Sequence, residues 1–256
     1  MGLFRDSIPN SSLHGFLRQG DTLTILAAPP GHLAAINNAG QIAGVGRHEF
    51  VFDSVGGGVT TFDIPGSIEN ITGINNAGEI VGNFQDFNGK NRGFIRDSTG
   101  IFTTLVGVGK TTFSQISGIN DAGQIAGDIS DSSGDYTFLP DKNGVITKIQ
   151  QPGVILGIND TGQTVGVFHD DIEGKYRGFF RDIGGLVTTI DFPDSTFTQL
   201  EGINDAGQIV GDYISTDNIS HVFLATPISA VPLPAAAWLL GSALGGLGFC
   251  RRRAAA

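Results

Sequence analysis

The sequence has almost no cysteine, few basic residues and no signal peptide that can be recognised. Its one cysteine, Cys250, has no second cysteine to pair with, which excludes an intrachain disulfide. Lys and Arg number 15 against 25 Asp and Glu, and the net charge of −10 is expected to repel phosphate backbones. We therefore expect no nucleic-acid partner. The N-terminus lacks a basic segment followed by an apolar one, so no leader peptide is visible.

The chain is instead rich in glycine, at 39 of 256 residues, and a decapeptide occurs in it five times. The clearest copy reads Gly-Ile-Asn-Asp-Ala-Gly-Gln-Ile-Val-Gly. The copies are residues 35–44, 73–82, 118–127, 157–166 and 202–211. In each copy, apolar residues flank four successive positions: Asn, then Asn or Asp, then a small residue, then Gly. This is the composition of a hairpin loop. Because the Asn side chain can hydrogen-bond its own backbone and Gly supplies a positive φ, the motif predicts a β-hairpin and not a catalytic loop.

Each decapeptide begins a unit of four short strands that recurs about every 40 residues. The third strand carries a phenylalanine in one register, at Phe16, Phe50, Phe94, Phe138, Phe179 and Phe223. The predicted fourth strands are residues 22–26, 59–62, 101–105, 145–149 and 186–190. Four antiparallel strands per repeat are typical of a propeller blade, and the recurrent Ile and Phe would form the faces by which blades stack.

The chain begins inside a repeat, at a second strand, which gives 22 predicted strands. Grouped as fourth, first, second and third strands, they form five complete blades and an N-terminal hairpin at about residues 3–17. We predict an all-β fold over residues 1–226, a β-propeller of five four-stranded antiparallel blades, or six if further strands lie upstream. A start within a repeat favours a truncated start of a longer exported protein. The alternative is a cytosolic protein whose first hairpin closes the ring.

The C-terminal segment differs in composition from the repeats. Residues 227–234 form a Pro-containing linker, and residues 235–250 are uncharged and apolar. As a helix this span would be about 24 Å long, a little short of a bilayer core. Trp238 at one boundary and an arginine cluster at the other predict insertion in a membrane, with the C-terminus in the cytoplasm. We assign residues 235–256 to a transmembrane helix and an Arg-rich tail.

The tail resembles a known sorting signal, the VPLPA variant of the PEP-CTERM tails of Gram-negative bacteria. The matching residues are Val231, Pro232, Leu233, Pro234 and Ala235, followed by the apolar span and by Arg251, Arg252 and Arg253. The resemblance implies an exosortase-like membrane protease that cuts the tail and releases the protein to the cell surface or matrix. The arginines would be the stop and orientation signal. Leu233 stands where the namesake motif has Glu, as in the VPLPA variant.

The repeats resemble the HAF-type extracellular repeat family, named after a His-Ala-Phe tripeptide. The tripeptide stands as residues 14–16, 48–50 and 221–223, with His14, His48 and His221 in the first position and Arg or Tyr there in the other three repeats. The likeness covers nearly all of residues 2–224. It implies secretion and a β-rich repeat fold, and it brings no catalytic residues.

Aspartates supply the candidates for a metal site. Asp128, Asp131 and Asp135 have the composition of a calcium loop, but their spacing does not match an EF-hand. Turn formation explains such Asp, Asn and Gly residues equally well. We expect no cofactor, and calcium at these three residues is the weaker alternative.

Two acidic pairs in predicted loops, Asp170 with Asp171 and Asp191 with Asp194, are the candidates for acid–base chemistry. Hydrolysis of a glycan would need two carboxylates that converge across the fold. The sequence contains no Gly-x-Ser-x-Gly elbow and no His-Glu-x-x-His motif, so we expect no enzyme.

The sequence favours a non-enzymatic exported protein of the bacterial surface or extracellular matrix, with the propeller as a binding or structural module. Its expected partners are an exosortase-like membrane protease, the membrane itself through the C-terminal helix, and matrix polysaccharide or surface proteins. One alternative is a propeller glycan hydrolase or lyase, whose acids would gather at one mouth of the ring. Another is a permanently anchored membrane protein.

Overall fold

The structure, a computed structural model, describes residues 2–5, 13–19, 21–26, 31–64, 66–105, 113–131, 134–140, 146–149 and 153–227. These residues contain 22 β-strands and no helix, which confirms the prediction of an all-β chain for the described part. The region Met1–Ala225 forms one compact unit. The strands are β1 Gly2–Arg5, β2 Leu13–Gln19, β3 Thr22–Leu26, β4 Gly31–Ile36, β5 Gln41–Gly46, β6 Glu49–Asp53, β7 Val59–Phe62, β8 Ser67–Ile74, β9 Ile80–Gln85, β10 Asn91–Arg96, β11 Phe102–Leu105, β12 Phe113–Ile119, β13 Ile125–Asp131, β14 Gly134–Pro140, β15 Ile146–Ile149, β16 Val154–Ile158, β17 Thr164–Asp170, β18 Lys175–Arg181, β19 Val187–Ile190, β20 Ser195–Ile203, β21 Ile209–Ser215 and β22 Ser220–Ala225.

The strands form six antiparallel groups in chain order, which we call sheets 1 to 6. Sheet 1 is β1–β3, sheets 2 to 5 are β4–β7, β8–β11, β12–β15 and β16–β19, and sheet 6 is β20–β22. One parallel residue pair, Tyr176 with Phe197, joins β18 to β20 and so connects sheets 5 and 6. The predicted unit of four strands is confirmed in sheets 2 to 5, whereas sheets 1 and 6 have three strands each.

The predicted grouping, in which a fourth strand begins each blade, is wrong. Each fourth strand pairs with the third strand of its own repeat, as β11 does with β10. The physical reason is the tight turn between them. In sheet 3 the N–H of Asp97 donates to the carbonyl of Ile101 at 3.0 Å, which closes a hairpin.

The decapeptide forms the predicted hairpin between the first and second strands of each repeat. In sheet 2 the N–H of Asn37 donates to the carbonyl of Gln41 at 3.0 Å, and the N–H of Gly40 donates to the carbonyl of Asn37 at 3.1 Å. Gly40 has a φ of 80°, the left-handed conformation that ends a three-residue hairpin loop. The other four hairpins repeat both the bonds and the positive φ.

Buried phenylalanines stack the sheets on one another, as the sequence predicts. Phe94 on β10 lies opposite Gly82 on β9, and a Cβ at Gly82 would lie 2.8 Å from the Phe94 ring. Glycine is needed there because the ring covers the backbone. Phe50, Phe94 and Phe179 are fully buried. The side chain of Phe138 lies outside the described residues.

Five apolar clusters join the six sheets in order. In each cluster, side chains of one sheet pack on the sheet that follows. Val81 of sheet 3, for example, packs with Ile116 and Ile125 of sheet 4. This order of packing brings the five hairpins of the decapeptide together.

Candidate functional site

The five hairpins surround one cavity of about 370 Å³, which we call the hairpin mouth. Every hairpin contributes the same three positions: an isoleucine, an asparagine, and a second residue that is Asn or Asp. The lining residues are Ile36, Asn37, Asn38, Ile74, Asn75, Asn76, Ile119, Asn120, Asp121, Ile158, Asn159, Asp160, Ile203, Asn204 and Asp205. We call Asn37, Asn75, Asn120, Asn159 and Asn204 the first-Asn set, and Asn38, Asn76, Asp121, Asp160 and Asp205 the second-Asx set.

Each member of the first-Asn set clamps its own hairpin. The Asn37 Oδ1 accepts from the backbone N–H of Gln41 at 2.9 Å, and its Nδ2 donates to the Gln41 Oε1 at 2.8 Å. The other hairpins place Glu79, Gln124, Gln163 and Gln208 in the same two bonds. The residue after the hairpin glycine is therefore a partner of the asparagine, which explains why it is always Gln or Glu in this chain.

The first-Asn set also connects the sheets. The Nδ2 of one asparagine donates to the carbonyl oxygen of the asparagine in the next hairpin, in a fixed direction. The donor–acceptor pairs are Asn37 to Asn75 at 2.9 Å, Asn75 to Asn120 at 3.3 Å, Asn120 to Asn159 at 2.9 Å and Asn159 to Asn204 at 3.1 Å. The four donor asparagines are buried, so each bond gives a partner to a side-chain amide that is largely shielded from water.

The second-Asx set forms a parallel series of bonds at the exposed side of the mouth. The backbone N–H of one residue donates to the side-chain Oδ1 of the next. The pairs are Asn38 to Asn76 at 2.8 Å, Asn76 to Asp121 at 2.7 Å, Asp121 to Asp160 at 2.7 Å and Asp160 to Asp205 at 2.8 Å. The Asn76 Nδ2 also donates to the Asp121 carboxylate.

Negative charge gathers where the last three hairpins meet the mouth. The hydrogen bond from the Asp121 N–H lowers the pKa of Asp160, but burial and the neighbouring carboxylates of Asp121 and Asp205 raise it further, so that the pKa of Asp160 lies above its usual value. The mouth is thus a polar cavity that offers amide and carboxylate oxygens to hydroxyl or amide donors. Among the lining residues that the structure describes there is no Ser, Cys, His or Lys.

The acidic residues of the predicted loops converge on one arginine. Arg177 lies 3.0 Å from carboxylate oxygens of both Asp170 and Asp191, and Lys175 lies 2.7 Å from Asp191. The two predicted acidic pairs are therefore each divided. Asp170 and Asp191 belong to this cluster, whereas Asp171 and Asp194 are exposed and lie outside it, Asp171 at 2.9 Å from His169 Nδ1. The ion pairs of this cluster connect β18 of sheet 5 to the segment between β19 and β20, which leads into sheet 6.

Both carboxylates of this cluster are held in the ionised form. Burial raises the pKa of Asp191, but hydrogen bonds from Lys175, Thr198 and Ser195 lower it by more, so the net shift is downward. The backbone N–H of Glu173 is the main cause of the lowered pKa of Asp170, and Arg177 adds to it. A general acid needs a raised pKa, so neither group is suited to that role.

The histidine position of the tripeptide carries a structural contact. His48 Nδ1 lies 2.8 Å from Asp63 Oδ1, and His221 Nε2 lies 3.2 Å from Ser215 Oγ. Arg92, at the same position in sheet 3, pairs with Asp86 at 3.2 Å. The side chain of His14 lies outside the described residues.

The calcium candidates do not form a described site. Asp128 and Asp131 lie on β13 and Asp135 lies on β14, but the side chains of Asp131 and Asp135 are outside the described residues. Within the described part of the chain there is no group of three or more His, Cys, Asp or Glu side chains that could hold a metal ion. In the similar loop at Asp86, the carboxylate accepts from the backbone N–H groups of Asn88 and Lys90.

The sorting-tail residues lie outside the described part of the chain. Val231, Pro232, Leu233, Pro234 and Ala235, together with Arg251, Arg252 and Arg253, all follow residue 227. Among the residues that the structure covers, no helix has the length and hydrophobicity needed to cross a bilayer.

Sequence reasoning missed the contacts between hairpins. The signals were present, because Gln or Glu follows each hairpin glycine and Asn or Asp follows each first asparagine. The Gln or Glu bonds to the asparagine of its own hairpin, whereas the second Asn or Asp bonds to the next hairpin. Turn preference alone explains Asn or Asp at that position, so its partner in the next hairpin is visible only in the fold.

No protein-family model and no curated protein matches the sequence. Solved β-propeller structures share the fold. A protein assigned as TolB from Agrobacterium tumefaciens matches with a TM-score of 0.60 at 14% identity, over 80% of this chain and 80% of that chain. TolB from Acinetobacter baumannii matches with a TM-score of 0.54 at 15% identity, over 84% of this chain, which spans only 59% of that TolB. A streptogramin B lyase matches with a TM-score of 0.51 at 15% identity, over 90% of this chain and 87% of the lyase chain.

Proposed function

We propose that this chain is a non-enzymatic binding module of an exported bacterial protein, and that the hairpin mouth is its binding site. The observation that carries the proposal is the sameness of the five hairpins, which all present Ile, Asn and Asx to one cavity. Catalysis needs chemically different groups in set positions, such as a base beside a nucleophile. A mouth built from repeated amide and carboxylate oxygens is better suited to holding a polar ligand.

The ligand class follows from the charge and the hydrogen-bond groups of the mouth. Asp121, Asp160 and Asp205 repel anions, and the net charge of −10 adds to this effect. The exposed oxygens accept hydrogen bonds, which sugar hydroxyls can donate. We therefore propose an uncharged matrix polysaccharide as the ligand.

Calorimetric titration with neutral and anionic oligosaccharides tests this proposal. The variant Asn38→Ala removes a mouth side chain that donates and accepts no described hydrogen bond, and it is expected to weaken binding about tenfold. Asn88→Ala, an exposed asparagine in a remote loop, is the control and should bind as the parent does. Equal affinity of the two variants, or preference for the anionic sugar, would contradict the proposed site.

For delivery, we propose that the C-terminal tail is a temporary membrane anchor which an exosortase-like protease removes. The support is the order of the sorting motif at residues 231–235, the apolar span and the final arginines. Mass spectrometry of surface-located protein is expected to find a C-terminus upstream of Arg251. An intact arginine cluster on that protein would favour a permanent membrane anchor instead.

A glycan hydrolase or lyase is the second candidate. It is favoured by one observation, the three neighbouring carboxylates at the mouth, of which Asp160 has a raised pKa. Release of oligosaccharides by the parent protein, abolished in Asp160→Asn, would support this candidate. Binding without release of products would support the non-enzymatic module.

A further inference from the structure

Three aromatic side chains meet on the surface of sheet 5, at the end opposite to its decapeptide hairpin. His169 near the end of β17 and Tyr176 near the start of β18 are cross-strand partners, with 5.0 Å between their ring centroids. Phe197 on β20 pairs with Tyr176, and their ring centroids lie 5.7 Å apart. We call these three residues the aromatic patch. Phe197 precedes Ile203 of the hairpin mouth by six residues of β20, so the patch lies about 20 Å from the mouth.

The repeat itself does not require aromatic side chains at this place. The corresponding cross-strand pair, five residues after the first residue of the second strand, is Gln85 with Asn91 in sheet 3 and Ile214 with Ser220 in sheet 6. Burial in the core does not explain the two rings of sheet 5 either, because 48% of Tyr176 and 43% of the His169 side chain are exposed. The aromatic patch is therefore not a feature of the repeat.

The contacts of Tyr176 leave part of its ring surface uncovered. The His169 ring makes an angle of 68° with it, and the Phe197 ring makes an angle of 52°. Neither neighbour stacks flat on the Tyr176 ring, whereas Phe192 stacks on Tyr213 at 6° with 3.7 Å between centroids. Because the face of an aromatic ring carries partial negative charge, it attracts the weakly positive hydrogens of C–H groups.

Polar groups lie at the edge of the aromatic patch. His169 Nδ1 lies 2.9 Å from Asp171 Oδ1. An ionised carboxylate can only accept, so Nδ1 donates this bond and Nε2 of the neutral ring is left as an acceptor. Within the described residues, no hydrogen bond reaches His169 Nε2, the second Asp171 oxygen or the Tyr176 hydroxyl. The patch thus combines an apolar ring with two acceptors and one hydroxyl group.

The charges around the aromatic patch do not favour an anionic ligand. Side chains alternate along β18, so Lys175 and Arg177 lie on the opposite face of sheet 5 from Tyr176, and both are ion-paired there. Asp171, whose side chain is 96% exposed, places a negative charge beside the patch. An anion would meet this charge without a cation to offset it.

We propose that the aromatic patch is a second saccharide site, which binds one pyranose ring of a neutral polysaccharide. The axial C–H groups on one face of the sugar lie on the Tyr176 ring. Sugar hydroxyl groups donate to His169 Nε2 and to the Asp171 carboxylate, and one accepts from the Tyr176 hydroxyl. A few polar groups around an apolar surface are the usual composition of a small-molecule site. With this site and the hairpin mouth at opposite ends, one chain can bind two polysaccharide strands.

Proton NMR of cellotetraose, a neutral glucose oligomer, tests the site on the full chain in a detergent without sugar head groups. Stacking places the axial protons of one sugar face in the shielding region of the aromatic ring. We expect saturable upfield shifts of the axial protons on that face, and smaller shifts of those on the other face. Such a difference between the two faces does not arise from hydrogen bonds alone.

Tyr176→Ala removes the ring and is expected to raise the dissociation constant at least about tenfold. Tyr176→Phe keeps the ring and should bind within about threefold of the parent. Phe87→Ala is the matched control, because Phe87 is 89% exposed in the β9–β10 turn of sheet 3, and it should not change binding. If Tyr176→Ala fails to fold, His169→Ala removes an acceptor and should weaken binding at least about threefold.

The inference is overturned if cellotetraose shows no saturable shifts, if both sugar faces shift equally, or if Tyr176→Ala and Phe87→Ala bind alike. Asn38→Ala separates this site from the hairpin mouth. Upfield shifts that are lost in Asn38→Ala but kept in Tyr176→Ala would place the sugar at the mouth alone. Sedimentation of the chain as a dimer that Tyr176→Ala dissociates would assign the aromatic patch to a second copy and would also overturn the inference.

Discussion

Asp160 occupies a position that holds asparagine in the first two hairpins, as Asn38 and Asn76, and aspartate in the last three. Its carboxylate lies beside those of Asp121 and Asp205, and its raised pKa means that folding disfavours the ionised form. The resulting destabilisation is present at neutral pH. It is relieved as the pH falls through the pKa of the folded state, because the carboxyl is then protonated.

Asp160→Asn is therefore expected to stabilise the protein at neutral pH. The amide oxygen can still accept from the Asp121 N–H, while one of three like charges is lost. Urea unfolding at pH 7 should show a gain of about 0.5 kcal/mol in the free energy of unfolding, a small value because the group is largely exposed. The gain should shrink as the pH approaches the usual aspartate value of about 4.

Asp182→Asn is the control for this prediction. The Asp182 Oδ1 accepts one backbone N–H, from Leu186 at 2.8 Å, but the residue lies outside the hairpin mouth. At pH 7, Asp182→Asn should change the free energy of unfolding less than Asp160→Asn does. A loss of stability in Asp160→Asn at pH 7 would show that the carboxylates do not repel one another there.

Gly82 is a residue whose role comes from the space around it. A Cβ at this position would lie 2.8 Å from the Phe94 ring and would press on the carbonyl of Asn70. Gly82→Ala is expected to lower the free energy of unfolding by about 1–3 kcal/mol through overpacking. Gly58→Ala is the control, because a Cβ there meets no atom within 4 Å. Equal thermal unfolding temperatures for the two variants would contradict this account.

Individual residues show how far the sequence could predict the fold. The recurrent phenylalanines predicted a buried inter-sheet face, and Phe50, Phe94 and Phe179 lie there. The histidines of the repeat gave no indication of their partners, because Asp63 pairs with His48 from the far end of a hairpin. A side-chain contact between neighbouring strands produces no recognisable spacing of residues in the sequence.

Among the elements, the hairpin of the decapeptide couples one sheet to the next. Asn120 clamps its own loop through Gln124 and donates to the Asn159 carbonyl in the following hairpin. Asn120 is only 3% exposed, and its loss removes the described acceptor of the Gln124 N–H and one of the two donors to the Asn159 carbonyl, which keeps the N–H of Gly162.

Asn120→Ala is expected to cost about 2 kcal/mol or more of unfolding free energy, measured by urea denaturation. The matched variant is Asn204→Ala, since Asn204 makes the same bonds within its hairpin but is exposed and donates to no further described hairpin. Water can replace those bonds, so the cost should be nearer to 1 kcal/mol. Equal costs would mean that the bond between hairpins contributes nothing.

The strands could be predicted from sequence more reliably than their grouping. The predicted fourth strand at residues 59–62 coincides with β7, because Thr, Val and Phe between turn residues identify a strand locally. Which strand lies beside it depends on the connections. The short turn between Asp97 and Ile101 favours pairing of β11 with β10, because short loops usually join neighbouring strands. The prediction followed the order of the repeats and not this loop length, and it therefore grouped the strands wrongly.

At the scale of the whole described unit, the sheets differ in how many of their faces are covered. Sheets 2 to 5 pack on a neighbour at both faces, whereas sheets 1 and 6 each take part in one of the five apolar clusters. Local opening is easiest where few apolar contacts are lost. The end sheets should therefore open before the middle ones.

Hydrogen exchange measured by mass spectrometry tests this order of opening. Amides of β9 and β17 in the middle sheets are expected to be at least about tenfold more protected than those of β21 in sheet 6. The comparison is controlled, because β17 and β21 are both second strands of seven residues paired on two edges. Protection of β21 equal to that of β17 would show that the exposure of Val210 on β21, where β17 has the fully buried Val165, has no effect on opening.

The same pair of side-chain bonds joins every hairpin to its successor, from Asn37 and Asn38 at one end to Asn204 and Asp205 at the other. A repeat inserted between two others, or removed from between them, would meet neighbours that already carry the matching groups. Gene duplication and unequal recombination can therefore change the copy number without any new contact having to evolve at the junction.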